Sequence, residues 1–142
     1  MHQLQKTTYQ LIDLLAVAGF IADRVLKFIA EHLPPGKVFA FAPGLHFGYY
    51  LNPALFFFPA WQWIPWVALI VLIALTTYYI LHTTYSHIPL LLILLGGTSN
   101  VFDRFAYNGV IDYIEIFKLA TINIADIMIL AGILIIVWRK SA

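Results

Sequence analysis

The chain has 142 residues, of which 62% are hydrophobic and 11% charged, and its formal net charge is +1 at pH 7. An ordinary soluble domain carries about 25% charged residues, so this composition indicates a membrane protein. Its length suits a single domain, residues 1–142. The small net charge excludes a basic surface for nucleic acid, and the absence of cysteine excludes disulfides, thiolate nucleophiles and cysteine-bound zinc.

Four apolar runs approach the length of about 20 residues that a membrane-spanning helix needs. We predict the spans at about residues 9–30, 64–81, 88–102 and 122–138. A secretory signal peptide, cleaved after "AVA" at 16–18, is the alternative for the first run. Asp13 interrupts its apolar region, and the apolar pattern continues beyond the supposed cut. We therefore predict an all-α membrane protein with four transmembrane helices.

A segment of different composition, at about residues 37–63, separates the first two spans. Proline and glycine exclude a helix through its first half. Two short apolar stretches around "APG" predict a β-hairpin between about Val38 and Leu51. Trp61, Trp63 and Trp66 follow, and such rings commonly lie at headgroup depth. We expect this hairpin, or cradle, on or in the outer leaflet, and a loop that merely anchors the helices is the alternative.

The orientation follows from the charges at the ends of the spans. Four spans place both termini on one side, and the positive-inside rule then puts Lys6, Arg139 and Lys140 in the cytoplasm. The other cations would lie toward the opposite face: Arg24, Lys27, Lys37, Arg104 and Lys118. The rule is thus weakly obeyed, so either the orientation is inverted or these cations are held in ion pairs. Most of the anions gather at that same face, which favours pairing. The connection "HTTYSH" is uncharged and indicates neither orientation.

Polar residues recur at helical spacing where the spans end at that face. Asn100 lies three residues before Asp103 and four before Arg104, so Asn100 can face the same side of a helix as each of the other two. Asp23 and Lys27 form another pair four residues apart. Three spans therefore bring a polar end to the same face of the membrane.

The fourth span begins with a carboxylate, in "NIAD", and has a second carboxylate in the loop before it. Asn123 and Asp126 repeat the three-residue spacing, and Asp112 precedes them. Carboxylates in membrane spans are rare and suggest a functional site. Two aspartates that share one proton can activate a water molecule. The structural alternative is a set of ion pairs, Asp23 with Lys27 and Asp103 with Arg104, together with Asp126 stabilised by a helix N-terminus and a solvated Asp112.

Four sequence motifs occur in order along the chain: "ADRVLK", "SNVFDR", "GVIDYI" and "TINIADIMI". Together they resemble the lipoprotein signal peptidases (signal peptidase II), whose patterns read DQxxK, GNxxDR, VVDF and FNxAD. Among the departures from the family's patterns, three concern the site. The family's NTGAAF reads "NPALFF", so that Asn52 is retained, Ser99 stands where the family has glycine, and the stretch between Asp112 and Asp126 is shorter than usual.

The resemblance implies an intramembrane aspartyl endopeptidase. Such an enzyme removes the signal peptide from lipid-modified prolipoproteins and cleaves before the diacylglyceryl-cysteine. Asp112 and Asp126 match the catalytic aspartates. The supporting or substrate-binding residues match Asp23, Lys27, Asn52, Asn100, Asp103, Arg104 and Asn123. The family's fold places both termini inside and a β-cradle outside the bacterial cytoplasmic (inner) membrane, with the active site toward the extracytoplasmic face.

We expect neither a cofactor nor a metal. The chain has no HExxH motif, and His82 and His87 lie five residues apart across a short turn. A Ser/Lys protease needs a hydroxyl beside a neutral lysine, and Ser99 has no lysine near it in sequence. The expected partners are a lipid-modified precursor and the bilayer, and we expect a monomer that does not bind nucleic acid.

The alternative function is that of a non-catalytic membrane bundle. It would be either an inactive relative that binds lipopeptides or an ion-binding or ion-conducting protein. A conduction path requires polar residues at all depths of the helices. In this sequence the polar residues concentrate at one end, which favours the protease.

Overall fold

A computed structural model describes residues 2–53, 63–82 and 88–141. In these ranges four helices accompany one antiparallel sheet of four strands. The elements in chain order are α1 (His2–Glu31), β1 (Phe39–Ala42), β2 (Leu45–Asn52), α2 (Ile64–His82), α3 (Ile88–Tyr107), β3 (Val110–Ile116), β4 (Ala120–Ile122) and α4 (Ile124–Ser141).

The helices lie where the four spans are predicted, with different ends. Helix α3 continues to Tyr107, so Asp103 and Arg104 belong to its last turns, beyond the predicted end of the span at residue 102. Helix α4 begins at Ile124, two residues later than predicted. Within the described ranges, α3 alone is both long and apolar enough to cross a membrane, and Ile64–Tyr78 and Ile124–Trp138 are shorter apolar stretches. Membrane crossing by all four helices stays a prediction.

The sheet has the strand order β1-β2-β3-β4. Its first two strands confirm the predicted hairpin between about Val38 and Leu51. The prediction of an all-α fold with one hairpin is wrong for the second half of the sheet, because β3 and β4 pair with each other and β3 pairs with β2. The sequence of β3, VIDYIEI, is rich in β-branched and aromatic residues, which favour strands. Asp112, predicted in a loop, therefore lies within a strand.

The two hairpins contact each other at their turns. Gly44 has a positive φ of 75°, which glycine adopts without strain. Its carbonyl oxygen accepts a hydrogen bond from the Phe117 N–H at 2.6 Å. A Cβ atom at Gly44 would lie 2.3 Å from the Phe117 ring, so the close approach also requires glycine.

Helices α3 and α4 approach closely through glycine. A Cβ atom at Gly96 would lie 2.5 Å from the Ala125 carbonyl oxygen, and one at Gly132 would lie 2.4 Å from the Pro89 carbonyl oxygen. Small residues at helix interfaces let two backbones pack together where hydrophobic burial provides little attraction. The consequence is that the polar end of α3 lies against the first turn of α4.

The outward surfaces of the helices are apolar. Leu14, Ile70 and Leu134 are each more than half exposed. Trp66 is also more than half exposed, and Trp63 is half exposed. A soluble monomer rarely exposes so much apolar surface, and these faces suit contact with lipid. Trp61, the "NPALFF" segment beyond Pro53, and the "HTTYSH" connection beyond His82 with its His87 lie outside the described residues.

Candidate active site

Asp126 lies in the first turn of α4, where it completes a reciprocal cap. Asn123 immediately precedes the helix, and its Oδ1 accepts a hydrogen bond from the Asp126 N–H at 2.9 Å. In return, Asp126 Oδ2 accepts one from the Asn123 N–H at 3.2 Å. This is the capping-box arrangement, which pairs helix N–H groups that otherwise lack partners. The interpretation that Asp126 stabilises a helix N-terminus is therefore confirmed.

Asn123 also connects the two aspartates. Its Nδ2 donates a hydrogen bond to Asp112 Oδ1 at 2.8 Å. The other oxygen of Asp112 accepts hydrogen bonds from the Thr121 hydroxyl at 2.9 Å and from Asn52 Nδ2 at 3.3 Å. Asp112 is only 2% exposed, which contradicts the structural alternative of a solvated Asp112.

Asp126 receives its side-chain hydrogen bond from α3. Asn100 Nδ2 donates to Asp126 Oδ1 at 2.8 Å, and Asn100 Oδ1 accepts from Lys27 Nζ at 2.9 Å. Arg104 donates from Nη1 to the Asn100 carbonyl oxygen at 3.3 Å, so its side chain turns back toward this cluster. Of the predicted polar residues of α3, Asn100 thus contacts the start of α4 directly, and Arg104 lies against Asn100.

Burial changes the acidity of Asp112. Loss of water contact, and next the negative charge of Asp126, raise the pKa of Asp112 to about 6, although three side chains donate to its oxygens. Two nearby carboxylates in a poorly hydrated site hold a proton between them more tightly than isolated ones. Asp112 can therefore hold a proton close to neutral pH.

A buried ion network between α1 and α3 lies next to the site. Lys27 Nζ lies 3.0 Å from Asp23 Oδ2 and 2.7 Å from Asp103 Oδ2, and all three side chains are fully buried. Arg24 pairs with the second oxygen of Asp103. Two cations and two anions balance, which a buried cluster requires because a single uncompensated charge would be costly. The suggested pairing of Asp23 with Lys27 is confirmed.

The suggested pairing of Asp103 with Arg104 is wrong. Asp103 instead accepts both Arg24 and Lys27, which α1 carries on the face that packs against α3. The next residue on a helix points about 100° away, so adjacent residues such as Asp103 and Arg104 face different sides. Their neighbours are then decided by packing between helices.

Ser99, which has no lysine near it in sequence, has Lys27 beside it in the fold. Lys27 Nζ lies 3.2 Å from Ser99 Oγ, because α1 and α3 pack together. A serine nucleophile needs a neutral lysine as its base. Lys27 Nζ instead lies within 3.0 Å of two carboxylates, and the Ser99 hydroxyl donates to Asp23. Ser99 and Lys27 are therefore part of the ion network and not a Ser/Lys protease site.

Three polar neighbours of the site were not among the predicted residues. Thr121 donates to Asp112, Arg24 pairs with Asp103, and the Tyr113 hydroxyl donates to Asp23 at 2.9 Å. Tyr113 could have been suspected because it follows Asp112 in a strand-like stretch. Over the described ranges, no three His, Asp or Glu side chains are arranged to hold a metal ion.

The comparison with known proteins identifies the family. Residues 15–141 match the family model described as Signal peptidase (SPase) II. The chain belongs to the signal peptidase II family. The lipoprotein signal peptidase of Streptococcus pyogenes serotype M2 is 32% identical, with 97% of each chain covered, and that of Microcystis aeruginosa is 30% identical, with 85% of each covered. The predicted resemblance is thus confirmed.

Two solved structures have the same fold as this signal peptidase II family member. One bacterial membrane enzyme determined by the in meso method superposes with a TM-score of 0.77 at 24% identity, covering 94% of this chain and 87% of that chain. A second gives a TM-score of 0.76 at 25% identity, covering 94% and 92%. Four helices with a small antiparallel sheet are therefore the architecture shared with a bacterial membrane enzyme.

Proposed function

We propose that this chain is an intramembrane aspartyl endopeptidase that removes signal peptides from lipid-modified prolipoproteins by cleaving before the diacylglyceryl-cysteine. The observation that carries the proposal is that one residue, Asn123, contacts both aspartates: its side chain donates to Asp112 Oδ1, and its backbone N–H donates to Asp126 Oδ2. Membership in the signal peptidase II family supplies the reaction class. No cofactor takes part in this chemistry.

The two aspartates divide the proton transfers. One aspartate holds the proton at the start and the other is the base; we assign the proton to Asp112, whose pKa is raised to about 6, and the role of base to Asp126. Asp126 takes a proton from water as the water oxygen attacks the scissile carbonyl carbon, and Asp112 gives its proton to the carbonyl oxygen. When the C–N bond breaks, Asp126 protonates the leaving amine and Asp112 regains a proton from the intermediate. Such an exchange of roles is general acid–base catalysis by a coupled pair.

The supporting residues act at two distances. Asn52, Asn100 and Asn123 donate directly to the carboxylates and hold their oxygens in place. Asp23, Lys27, Asp103 and Arg104 act through them, since they contact the asparagines or the strands and helices that carry them. In this assignment Asp112 and Asp126 are the catalytic residues.

The apolar helix surfaces favour a substrate that arrives laterally from the bilayer. We propose a bacterial cytoplasmic membrane location with both termini inside, the site toward the extracytoplasmic face, and a monomeric enzyme. The non-catalytic bundle, whether a lipopeptide binder or an ion conductor, is less consistent with the site. A conduction path needs polar groups along the whole depth, whereas the buried polar residues described here cluster where α1, α3 and α4 meet the sheet.

The test is cleavage of a diacylated lipoprotein precursor by purified variants. We expect D112N and D126N each to lower the rate of signal-peptide release by at least about 10³-fold, because an amide keeps the shape of the carboxylate but cannot exchange the proton. The amount of membrane-inserted protein should stay close to wild type.

Glu31→Gln is the matched control, since it amidates an exposed carboxylate that bonds to Tyr107 outside the cluster. This variant should cleave at the wild-type rate. Near wild-type cleavage by D112N or D126N would remove the aspartyl mechanism, whereas absence of cleavage by the wild-type chain would favour the non-catalytic lipopeptide-binding bundle.

A further inference from the structure

The first N–H groups of α4 are bound by side chains from other parts of the chain. The Ile124 N–H donates to the Tyr113 hydroxyl at 2.9 Å, the Ala125 N–H to Asp23 Oδ1 at 3.1 Å, and the Asp126 N–H to Asn123 Oδ1 at 2.9 Å. Such groups have no partner within their own helix. The start of α4 is therefore fixed to β3 and α1 as well as capped by Asn123.

Tyr113 makes the connection between strand and helix with one oxygen. Its hydroxyl accepts from the Ile124 N–H and donates to Asp23 Oδ1 at 2.9 Å. Tyr113 is fully buried and follows Asp112 along β3. Successive side chains of a strand point to opposite faces. The same strand thus presents Asp112 on one face and holds the helix that carries Asp126 with the other.

Asp23, the other partner of Tyr113, is itself held rigidly. Its Oδ2 accepts from the Ser99 hydroxyl and pairs with Lys27, and no part of its side chain is exposed. Burial and the charge of Asp23 raise the pKa of the Tyr113 phenol, so the hydroxyl keeps its proton and remains a donor. The Tyr113 oxygen therefore has a fixed reference point on α1.

Two hydroxyls donate to the same buried carboxylate, one to each oxygen. Ser99 donates to Asp23 Oδ2 and Tyr113 donates to Asp23 Oδ1. The two donors therefore hold Asp23 between α3 and β3.

We propose that Tyr113 is a positioning residue, whose hydroxyl fixes the first turn of α4 and thereby the place of Asp126 relative to Asp112. The proposal rests on the proposed function, because it assumes that these aspartates act as a pair. Tyr113 acts through Asp23 and the α4 backbone. A misplacement of about 1 Å in a catalytic group can lower the rate by about 10²-fold, so a small loss of fixation should appear in turnover.

The test compares Tyr113→Phe with Tyr107→Phe. The first removes the buried hydroxyl and keeps the ring that packs 5.8 Å from Phe47. The second removes a hydroxyl that donates to the exposed Glu31, so it is the same change away from α4. We expect Y113F to lower kcat about 10- to 100-fold with KM within about twofold, and Y107F to keep both values. Rates are referred to folded protein, measured by size exclusion in detergent.

A kcat for Y113F equal to wild type would overturn the proposal. The proposal would also be overturned if Y113F lowered total activity only by lowering the amount of folded protein, because the hydroxyl would then serve stability alone. Ser99→Ala separates the two oxygens of Asp23, since it removes the donor on the Lys27 side. It should affect kcat less than Y113F, and an equal or larger effect would assign the positioning to Asp23 as a whole instead of Tyr113.

Hydrogen exchange distinguishes this proposal from the proposed function. Amides in the peptide covering the start of α4 should exchange faster in Y113F than in Y107F, whether or not the protein cleaves a precursor. If neither the wild-type chain nor D126N releases a signal peptide, the proposed function fails. The exchange rates still test whether the Tyr113 hydroxyl fixes the first turn of α4. Unchanged exchange in Y113F would overturn the cap.

Discussion

Asn123 shows how one residue can serve both the fold and the site. An amide carries a donor and an acceptor on the same side chain. Its oxygen caps α4, and its nitrogen donates to Asp112. Aspartate could cap the helix equally well but would set a second negative charge against Asp112. The need to hold two aspartates together therefore explains an asparagine at this position.

The raised pKa of Asp112 predicts a specific dependence of stability on pH. Folding raises this pKa from an ordinary value of 3.8 to about 6, so the folded state binds the proton more tightly. The contribution to stability is complete below about pH 4 and is lost as the pH rises through about 6. A difference of this size corresponds to at most about 3 kcal/mol. We expect the free energy of unfolding in detergent to reflect this loss.

The comparison is with D112N, which has no proton to lose at this position. Other carboxylates titrate in both proteins, so the difference between their unfolding free energies isolates Asp112. As the pH rises from about 4 to 6, the free energy of unfolding of wild type should fall relative to that of D112N. A constant difference across this interval would show that folding does not raise the pKa of Asp112.

At the scale of the elements, helices were easier to predict than strands. Long apolar runs indicate helices by themselves, and the β1–β2 turn is marked by proline and glycine. Strand β3 has a local signal in its β-branched residues, but its pairing with β2 joins residues about 60 positions apart, such as Tyr50 and Asp112. No local pattern reports such a pairing, and the sequence therefore predicts Asp112 in a loop rather than in a strand.

The glycines of α3 give a prediction about how two helices set the site. A Cβ atom at Gly96 would lie 2.5 Å from the Ala125 carbonyl oxygen, which is backbone and cannot yield easily. At Gly97 it would meet Leu72 Cδ1 at 3.1 Å, the end of a flexible side chain. We expect Gly96→Ala to destabilise the protein by about 1–3 kcal/mol and to lower cleavage, since Ala125 adjoins Asp126.

Gly97→Ala is the control on the neighbouring position. It gains the same helix propensity, about 1 kcal/mol, with a smaller steric cost. Thermal unfolding in detergent and precursor cleavage should rank the proteins with G97A near wild type and G96A well below. Equal stability of G96A and G97A would mean that α3 and α4 are not held at this distance by Gly96.

At the scale of the whole molecule, the sequence reveals the polar end of the bundle but not its contacts. The clustering of charges at one face was predictable from their positions relative to the apolar runs. Which charges pair was not, because Arg24 and Lys27 reach Asp103 across the gap between α1 and α3. The same packing brings Lys27 to Ser99, which is 72 residues away. Contacts between helices depend on how they rotate and cross, and neighbours in sequence do not determine that.

The proposed topology can be tested on the whole chain because it contains no cysteine. Helix α4 has 18 residues, and at about 1.5 Å per residue it extends about 27 Å, close to the thickness of the hydrocarbon core. Lys118 lies between β3 and β4, and Ser141 ends α4. Single cysteines at these two positions should therefore lie on opposite sides of the membrane.

The measurement is labelling of bacterial spheroplasts with a membrane-impermeant maleimide. We expect K118C to be labelled in intact spheroplasts and S141C only after the membrane is permeabilised. Ile133→Cys is the control, because this exposed residue of α4 should face lipid, where a thiol is shielded from the reagent and remains unlabelled in both conditions. Labelling of K118C and S141C from the same side would show that α4 does not cross the membrane. The reverse pattern would show an inverted protein, with both termini outside and the aspartates facing the cytoplasm, where they could not meet an exported precursor.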